Sequence, residues 1–417
     1  MITFEEAIRR IDAQNVTLTA VVVNTNFAIG QVSRDIICSS KKIPVVRNSA
    51  VDGYAVRYTI TRSVGFDNVV FLRVVSHLDV NVYNDVFTAV EIMTGAKVPY
   101  GFDAVVKVED VIIYDKHCVK YIYLHTSVVK NINIRAIGED FGGGEVVVRK
   151  NSVVNVSHVV VLCLFGFFYV RVFKLPRIAI FSTGDEISNC RNIVCLNSNP
   201  YITPIQHNSS GNNTSVPYML NFFRALGIVA DYYGCCQDTF IDTYNTFKYI
   251  EEKRQVYSLV ITTGAVSKGK KDYIKNVFIN IGGEIIFHGV GIKPGKPVLF
   301  GYNKSKKYYF FGLPGNVLAS ITSVCFLVFY FIKSNLEICT DYFISTRSVS
   351  NIQVKRSFAY FMKTDVFYYR GTLCSNIQYG QESFKLSSLL YTNTLTLYDT
   401  TSVCVDYITR PLYFNLY

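Results

Sequence analysis

Short apolar runs alternate with helix-like stretches along the part of the chain that follows Pro176. The apolar runs include RIAIFSTG, SLVITTG and YYFFGLPGN, and the helix-like stretches include YMLNFFRALG and YIKNVFINIGG. This alternation is typical of βαβ units, in which each helix carries the chain back to begin the next parallel strand. The pattern therefore predicts an open α/β domain with a largely parallel sheet over residues 173–335.

Two other parts of the chain show a strand pattern without helices. Residues 47–138 contain alternating runs such as FLRVV and VKYIYLH, which predict a β-rich domain, and residues 336–417 predict a C-terminal β-barrel-like domain. The first residues have a helical apolar period, and residues 1–46 with 139–172 are predicted to form a helical or linker domain. The predicted fold class is therefore α/β plus all-β modules, in four parts.

Three apolar runs of the chain end at small or glycine-rich residues. They are IAIFSTGDEI from Ile178, SLVITTGAVSKGKKDY from Ser258 and FFGLPGNVLAS from Phe310. Open α/β sheets bind ligands at the carboxyl ends of their strands, where glycine lets backbone N–H groups approach an anion. The nearby lysines are Lys268, Lys270, Lys271, Lys293 and Lys296. The sequence therefore predicts a ligand that carries phosphate or another oxyanion.

The loop that starts at Gly264 matches the first part of a Walker A motif. Its pattern G-x-x-x-x-G-K ends at Lys270, but Lys271 stands where Ser or Thr should hold Mg²⁺, and no Walker B strand follows. We therefore do not expect a P-loop NTPase. A looser phosphate-binding loop fits better, with Ser267 as a donor and Asp272 close enough to join a metal or oxyanion site.

Other polar residues allow two interpretations each. Asp52 stands in an Asp-Gly sequence that is either an ordinary turn or a functional site. Glu139 and Asp140 precede three glycines and are either Mg²⁺ ligands or a solvated turn. Lys293 and Lys296, in a turn stiffened by prolines, form either a fixed oxyanion site or an exposed turn.

Composition narrows the class of partner. The formal net charge is +11, which favours an anionic partner, but no basic stripe interleaved with aromatic residues is present, so we expect no nucleic acid. The N-terminus lacks a signal-peptide pattern, and the apolar runs Val159–Val170 and Val324–Ile332 are too short to span a bilayer. Eleven cysteines without a C-x-x-C pair indicate reduced thiols. We expect a cytoplasmic protein without a transmembrane segment.

Eight segments in order from Ser49 to about Ser320 resemble the molybdopterin molybdenumtransferase family, which includes bacterial MoeA proteins and gephyrin-like E domains. They are SAVDGYAVR, MTGAKVPYGFDAVVKVED, IRAIGEDFGGGEVV, FSTGDEI, NSN, TTGAVSKGKKDY, IKPGKPVLFG and LPGN. The resemblance implies an elongated, four-part homodimer whose central domain binds molybdopterin. It also implies Mg²⁺-dependent release of AMP from adenylylated molybdopterin, with insertion of molybdenum from molybdate, and a molybdopterin adenylyltransferase as a partner.

The resemblance also assigns residues. The implied catalytic residues are Asp52, Thr94, Asp140, Glu186, Asp238 and Asp272, of which Asp238 and Asp272 would bind the metal. The implied substrate-binding residues are Ser182, Thr183, Gly184, Gly264, Ser267, Lys293, Lys296, Pro314 and Asn316. Of these, Ser182 and Thr183 would face the substrate phosphate, and Ser267 with the two lysines would face molybdate or the terminal pterin phosphate. The resemblance also implies that the dimer partner supplies the acidic residues of the β-rich domain.

The chain departs from the family pattern at four positions in or beside the loops. Ala265 replaces a glycine, Lys268 a small or apolar residue, Val317 a proline, and Gln237 an acidic residue. These changes leave an alternative open, in which the protein is a catalytically weakened, gephyrin-like scaffold that binds pterin or receptor-tail peptides. Its C-terminal aromatic residues would then be the binding surface: Tyr391, Tyr398, Tyr407, Tyr413 and Phe414.

Overall fold

The computed structural model describes residues 1–14, 16, 18–65, 68–76, 85–184, 213–253, 257–266, 273–336, 344–349, 358–398 and 406–411. The chain forms two compact units. The first contains Met1–Asp35, Lys150–Val156 and Tyr169–Tyr417, and the second contains Ile36–Arg149 and Ser157–Phe168. The division into four domains is finer than this and stays a prediction.

The first unit begins with helix α1 (Phe4–Asp12) and strand β1 (Ala20–Asn24). Thr3 caps the helix, because its Oγ1 accepts a hydrogen bond from the Glu6 N–H at 3.2 Å. Ala7 and Ile11 lie one turn apart on the same face and are buried. The helical period at the start of the sequence is therefore confirmed.

The second unit is built mainly from short strands. Its elements are β2 (Ile37–Cys38), β3 (Asn48–Ser49), β4 (Gly53–Val56), α2 (Tyr58–Thr61), β5 (Val70–Val75), β6 (Thr88–Ile92), β7 (Ala104–Lys107), β8 (Ile112–Lys116), β9 (Val119–Leu124), β10 (Ile134–Arg135), β11 (Val146–Val148) and α3 (Val156–Leu164), whose first residue still belongs to the first unit. Six strands form one sheet in the order β7-β4-β6-β5-β9-β8. Two small antiparallel pairs, β3–β10 and β2–β11, complete the unit.

The first unit continues with an α/β sheet. Its elements are β12 (Tyr169–Phe173), β13 (Ile178–Thr183), α4 (Ser215–Ala225), β14 (Ala230–Cys236), α5 (Phe240–Glu251), β15 (Leu259–Thr263), α6 (Ile274–Asn280), β16 (Gly283–His288), β17 (Ile292–Lys293), β18 (Leu299–Asn303), β19 (Tyr308–Leu313), α7 (Val317–Ser323) and α8 (Phe329–Asn335). The sheet has the order β14-β13-β15-β19-β18-β16, while β12 pairs with β1. Only β18 runs against the other strands of this sheet. The sheet is therefore mixed, because the short turn between β18 and β19 can join only antiparallel neighbours.

Both faces of β13 are covered. Ile178 and Ile180 belong to one core cluster, while Ala179 and Phe181 belong to a second cluster that also contains Phe247 of α5. Successive side chains of a strand point to opposite faces, so a strand covered on both sides needs a continuous apolar run. This requirement explains the sequence IAIF at the start of β13.

A long apolar helix follows β19. A single π-helical turn (Val324–Val328) joins α7 to α8, so that Val317–Asn335 is one helix of 19 residues. The apolar run Val324–Ile332 is too short to span a bilayer, but the helix that contains it is longer, and by length and composition alone this helix could cross. Of its 18 most apolar consecutive residues, 78% are buried inside the fold. Such burial is typical of a core helix, and Leu327 and Phe331 lie in the main core cluster.

The C-terminal part of the first unit contains β20 (Ile344–Ser348), β21 (Ala359–Tyr369), β22 (Thr372–Ile377), β23 (Thr394–Tyr398) and β24 (Asp406–Pro411). The pairing β21-β22-β20-β24-β23 returns to β21 and closes a ring, with β17 added beside β21. Lys363 of β21 is completely buried, and its Nζ donates to the carbonyls of Gly380, Glu382 and Lys385. Burial lowers the pKa of this ammonium group, and its hydrogen bonds tie the segment after β22 to the ring.

Candidate functional site

The α/β sheet brings the predicted ligand loops to one edge. β13 lies between β14 and β15, so the chain leaves β13 towards one side and later returns on the other. In open α/β sheets, this switch in direction opens a crevice at the carboxyl ends of the strands. Five loops begin at this edge, because all the strands that precede them run in the same direction. They contain Gly184, Asp238, Gly264, the two lysines Lys293 and Lys296, and Pro314.

Gly264 lets two of these loops touch. It directly follows β15 with φ = +100°, and its N–H donates to the carbonyl of Leu313 at 3.0 Å. A Cβ atom at this position would lie 2.5 Å from Thr183 Oγ1 and 2.6 Å from the Thr183 carbonyl oxygen. Only glycine meets both the conformational and the steric requirement. The next residue, Ala265, also has a positive φ of 47°, where the family pattern has glycine.

The hydroxyl groups at the end of β13 have different surroundings. Ser182 Oγ shares a hydrogen bond of 2.7 Å with Tyr232 Oη, so the protein itself satisfies this group. Thr183 Oγ1 is buried and makes no hydrogen bond within the described part of the chain. Thr262 Oγ1, one residue before the end of β15, is in the same situation. A buried hydroxyl without a partner lowers the stability of the fold. The Thr183 hydroxyl therefore offers a donor beside the Gly264 loop that a bound ligand could use.

The remaining predicted substrate-binding residues differ in how they are held. Lys293 and Lys296 are exposed, and Lys293 Nζ lies 5.5 Å from the centre of the Tyr360 ring. Asn316 caps α7, because its Oδ1 accepts from the Ala319 N–H at 3.2 Å. The Asn316 amide also donates to Ser383 Oγ at 3.2 Å. Asn316 therefore links the crevice to the segment that Lys363 holds.

The predicted metal pair is only partly described. Asp238 lies two residues beyond β14, half-buried at the crevice edge. Asp272, Ser267 and Glu186 lie outside the described residues. Within the described ranges, no group of three or more His, Cys, Asp or Glu residues could hold a metal ion. Burial raises the pKa of the nearby Cys236 thiol to about 11, so this cysteine is protonated at neutral pH.

Asp52 and Thr94 contact each other in the second unit. β4 and β6 are antiparallel with Gly53 opposite Ile92, which brings the residue before β4 to the turn after β6. Asp52 Oδ1 accepts hydrogen bonds from the Thr94 N–H at 2.6 Å and from Thr94 Oγ1 at 2.9 Å. These bonds lower the pKa of the Asp52 carboxyl. The two bonds therefore fix the exposed Asp52 carboxylate across two strands.

A second acidic residue of this unit lines a groove of about 670 Å³. Asp140 and Glu139 lie there with Arg135 and the segment Ile43–Val46. Glu139 closes its own turn, because its Oε2 accepts from the Ala136 N–H at 2.6 Å. Asp140 lines the same groove, and its backbone N–H donates to the Ile43 carbonyl at 2.9 Å.

Sequence reasoning missed two residues of this groove, Arg135 and Asn48. They are opposite each other in the β3–β10 pair. Arg135 stands in the segment IRAIGEDFGGGEVV, and its positive charge close to Glu139 and Asp140 in the sequence could have indicated it as a site residue. Asn48 directly precedes the segment SAVDGYAVR, and no local pattern distinguishes it from an ordinary polar residue. The β3 strand joins this groove to the Asp52 turn, since the Ser49 N–H donates to the Ala96 carbonyl at 2.9 Å.

The chain is similar to known proteins along most of its length. The family model described as "MoeA N-terminal region (domain I and II)" matches residues 2–166, and the "Probable molybdopterin binding domain" matches residues 179–334. A molybdopterin molybdenumtransferase from Staphylococcus aureus is 29% identical over 326 residues, which are 77% of this chain and 73% of that protein. One from Staphylococcus epidermidis is 28% identical over 327 residues, again 77% and 73%.

Solved structures share the fold. A molybdopterin biosynthesis MoeA protein from Pyrococcus horikoshii has a TM-score of 0.74 with 22% identity and covers 98% of this chain and 100% of its own. A molybdenum cofactor biosynthesis protein from Pyrococcus furiosus has a TM-score of 0.54 with 14% identity, covering 98% and 99%. Two family models match the chain in sequence order, relatives match three quarters of it, and the fold is shared. The chain therefore belongs to the MoeA family.

Proposed function

We propose that this protein is a molybdopterin molybdenumtransferase. It would insert molybdenum from molybdate into adenylylated molybdopterin and release AMP, as the last step of molybdenum cofactor biosynthesis. Curated relatives carry this name, and a probable molybdopterin-binding domain matches the α/β part of the chain. The structural observation that carries the proposal is the crevice, where Gly264 packs against Thr183 and the Thr183 hydroxyl has no described protein partner.

The crevice suits a ligand with phosphate and oxyanion groups. When water cleaves the phosphoanhydride of the adenylylated substrate, AMP and the pterin phosphate leave as two anions. Thr183 Oγ1 and the N–H groups of the glycine loops would donate to one of them, and Lys293 and Lys296 would attract the other or molybdate. Donors that are already in place lower the barrier, because they do not reorganise as charge develops. Asp52, Thr94, Asp140 and Glu186 are proposed as further catalytic residues.

Mg²⁺ is proposed as the metal, held by Asp238 and Asp272. Mg²⁺ in proteins uses one or two carboxylates together with water and substrate phosphates, so the half-buried Asp238 among phosphate-binding loops fits this ion. Bound there, Mg²⁺ would supply positive charge to the phosphates. The predicted role of Asp238 is to hold that charge near Thr183, at the neighbouring strand end.

We also propose a homodimer. Helix α3 has exposed apolar side chains one turn apart: Val160 is 63% exposed and Leu164 is 46% exposed. An apolar helix stripe of this kind is typical of an interaction surface. Light scattering after gel filtration should give twice the chain mass for the wild type, and Val160→Glu should lower it to one chain mass. A wild-type monomer at micromolar concentration would contradict the dimer.

The cellular setting is proposed from the same function. We propose a cytoplasmic protein that receives its substrate from a molybdopterin adenylyltransferase. No disulfide joins the cysteines of the described part of the chain, and reduced thiols are typical of a reducing compartment. Co-purification with the adenylyltransferase from a tagged strain would support this partner, and equal recovery with an unrelated bait would oppose it.

The scaffold alternative is less favoured. The curated relatives are named as transferases. Of the C-terminal aromatic residues offered as a binding surface, Tyr398 is 1% exposed, whereas Tyr391 is 72% exposed. Tyr413 and Phe414 lie outside the described residues, and of Tyr407 only the backbone is described.

Calorimetric titration with molybdopterin tests the proposed site. We expect saturable binding that Gly264→Ala abolishes, because the new methyl group would occupy the space of the Thr183 carbonyl and hydroxyl. Gly30→Ala is the matched control: Gly30 also has a positive φ, of 80°, but a Cβ there meets no atom within 4 Å. Equal binding by the wild type and Gly264→Ala would place the pterin elsewhere.

A further inference from the structure

A second cavity lies at the opposite edge of the α/β sheet from the crevice. Its volume is about 710 Å³. It is lined at the amino ends of the strands, by Leu259 at the start of β15, by Tyr309 in β19 and by the segment Leu175–Arg177 before β13. The crevice is at the carboxyl ends of the same strands. None of the described substrate-binding candidates lines this cavity.

The floor of the cavity is apolar. It is formed by Phe331, Ile332 and Leu336 at the end of the long helix, together with Leu259 and Tyr309. Each of these five residues is at most 8% exposed, and all belong to the main core cluster. The nearby Asn335 uses its amide within the protein, because its Nδ2 donates to the Phe331 carbonyl at 2.7 Å. A ligand that reaches the floor therefore meets hydrocarbon and aromatic carbon.

The rim of the cavity is basic. Lys174, Arg177 and Lys307 line it, and no Asp or Glu is among its described lining residues. Arg177 is already paired, since its Nε donates to Asp231 Oδ2 at 2.8 Å. Lys174 and Lys307 are exposed and make no ion pair within the described ranges, so two positive charges remain available at the mouth.

We propose that this cavity binds a small amphipathic anion, which has an apolar body and one carboxylate, sulfonate or phosphate group. The body would cover the Phe331–Leu336 floor, and the anionic group would lie between Lys174 and Lys307. The volume is that of a small-molecule site, and such sites combine apolar walls with a few polar groups that fix orientation. The described lining contains no glycine and no helix N-terminus, so the apolar body supplies most of the affinity.

The probe for the test is 1-anilinonaphthalene-8-sulfonate, which has an aromatic body and one sulfonate, and its fluorescence rises in apolar surroundings. The full-length protein should bind one equivalent saturably. The double substitution Lys174→Glu with Lys307→Glu should weaken binding by about tenfold or more, because two nearby attractive charges become repulsive. Lys293→Glu with Lys296→Glu is the matched control: it makes the same charge change at the crevice and should leave the probe affinity unchanged.

Two further measurements separate the body from the charge. The neutral analogue N-phenyl-1-naphthylamine should bind the wild type and the Lys174/Lys307 variant equally well. Thr19→Trp, a change at an exposed rim residue, should weaken both probes by filling the mouth. Absence of saturable binding, or equal loss in both lysine variants, would overturn the proposal. Equal binding of both probes by Thr19→Trp and the wild type would also overturn it.

Discussion

Replacing Thr183 by valine removes the hydroxyl at the end of β13 and keeps nearly the same side-chain shape. In the structure this hydroxyl is buried beside Gly264 and makes no described hydrogen bond. The account assigns it to the substrate. Thr183→Val should therefore make the ligand-free protein more stable and the enzyme less active, a combination that a purely structural hydroxyl would not give.

The magnitudes follow from the cost of an orphaned polar group. A buried hydroxyl without a partner costs about 1–3 kcal/mol, and replacing it by an apolar group of the same shape removes that cost. We expect a gain of about 1 kcal/mol in the free energy of unfolding of the α/β part, or about 2–4 °C in its thermal midpoint. Loss of a hydrogen bond to a charged phosphate costs about 1.5–3 kcal/mol, so turnover should fall by about tenfold to a hundredfold.

Thr262→Val is the matched control. Thr262 also has a buried hydroxyl without a described partner, but it lies one residue inside β15, and the three atoms nearest to a Cβ at Gly264 all belong to Thr183. It should give the same gain in thermal midpoint without loss of activity. Differential scanning calorimetry and AMP release measure the two effects. A fall in the midpoint of Thr183→Val would show that the hydroxyl has a protein partner, and unchanged turnover would remove it from the substrate site.

Three further changes have defined outcomes. Gly264→Ala should lower the free energy of unfolding, measured by urea denaturation, by at least about 2 kcal/mol, because its Cβ would lie 2.5 Å from Thr183 Oγ1. A loss below about 0.5 kcal/mol, the usual scatter for surface substitutions, would contradict the close packing. Thr94→Val should raise the lowered pKa of Asp52 towards 3.8. The contact stabilises the fold above pH 3.8, and this stabilisation is lost as the pH falls through the folded-state pKa, so it should be smaller in the variant. An NMR titration of the Asp52 carboxyl that gives the same pKa in both proteins would oppose the assignment. Lys363→Met should leave three backbone carbonyls without their donor and destabilise the C-terminal ring by about 2 kcal/mol. Limited proteolysis should then cut this ring faster than in the wild type. Equal proteolysis rates would show that the ammonium group does not stabilise the ring.

The crevice can be predicted from the sequence, because each of its loops is marked by residues that are neighbours in the chain. Gly184, Gly264 and Pro314 each follow an apolar strand, and the carboxyl ends of strands that run in one direction must lie at one edge. The contact of Asp52 with Thr94 could not be predicted in the same way. It depends on the register that places Gly53 opposite Ile92, and register is set by pairing between distant segments.

Other features depend on tertiary structure alone. The reversed direction of β18 follows from a short turn that the sequence does not mark with a hairpin signal such as Asn-Gly. The helix Val317–Asn335 extends beyond its apolar run at both ends. Its first residue is set by the Asn316 cap, and its polar residues continue the helix where the apolar pattern stops. The cavity between Lys174 and Lys307 joins segments that are far apart in the chain, so no local pattern indicates it.

Release of AMP tests the central claim most directly. Purified protein is supplied with adenylylated molybdopterin and Mg²⁺, with and without molybdate, and AMP is quantified together with the cofactor activity restored to a molybdenum-free enzyme. The account predicts AMP release that depends on molybdate, formation of active cofactor, and loss of both in Asp272→Ala. A folded protein that binds the substrate and releases no AMP under these conditions would contradict the proposed transferase.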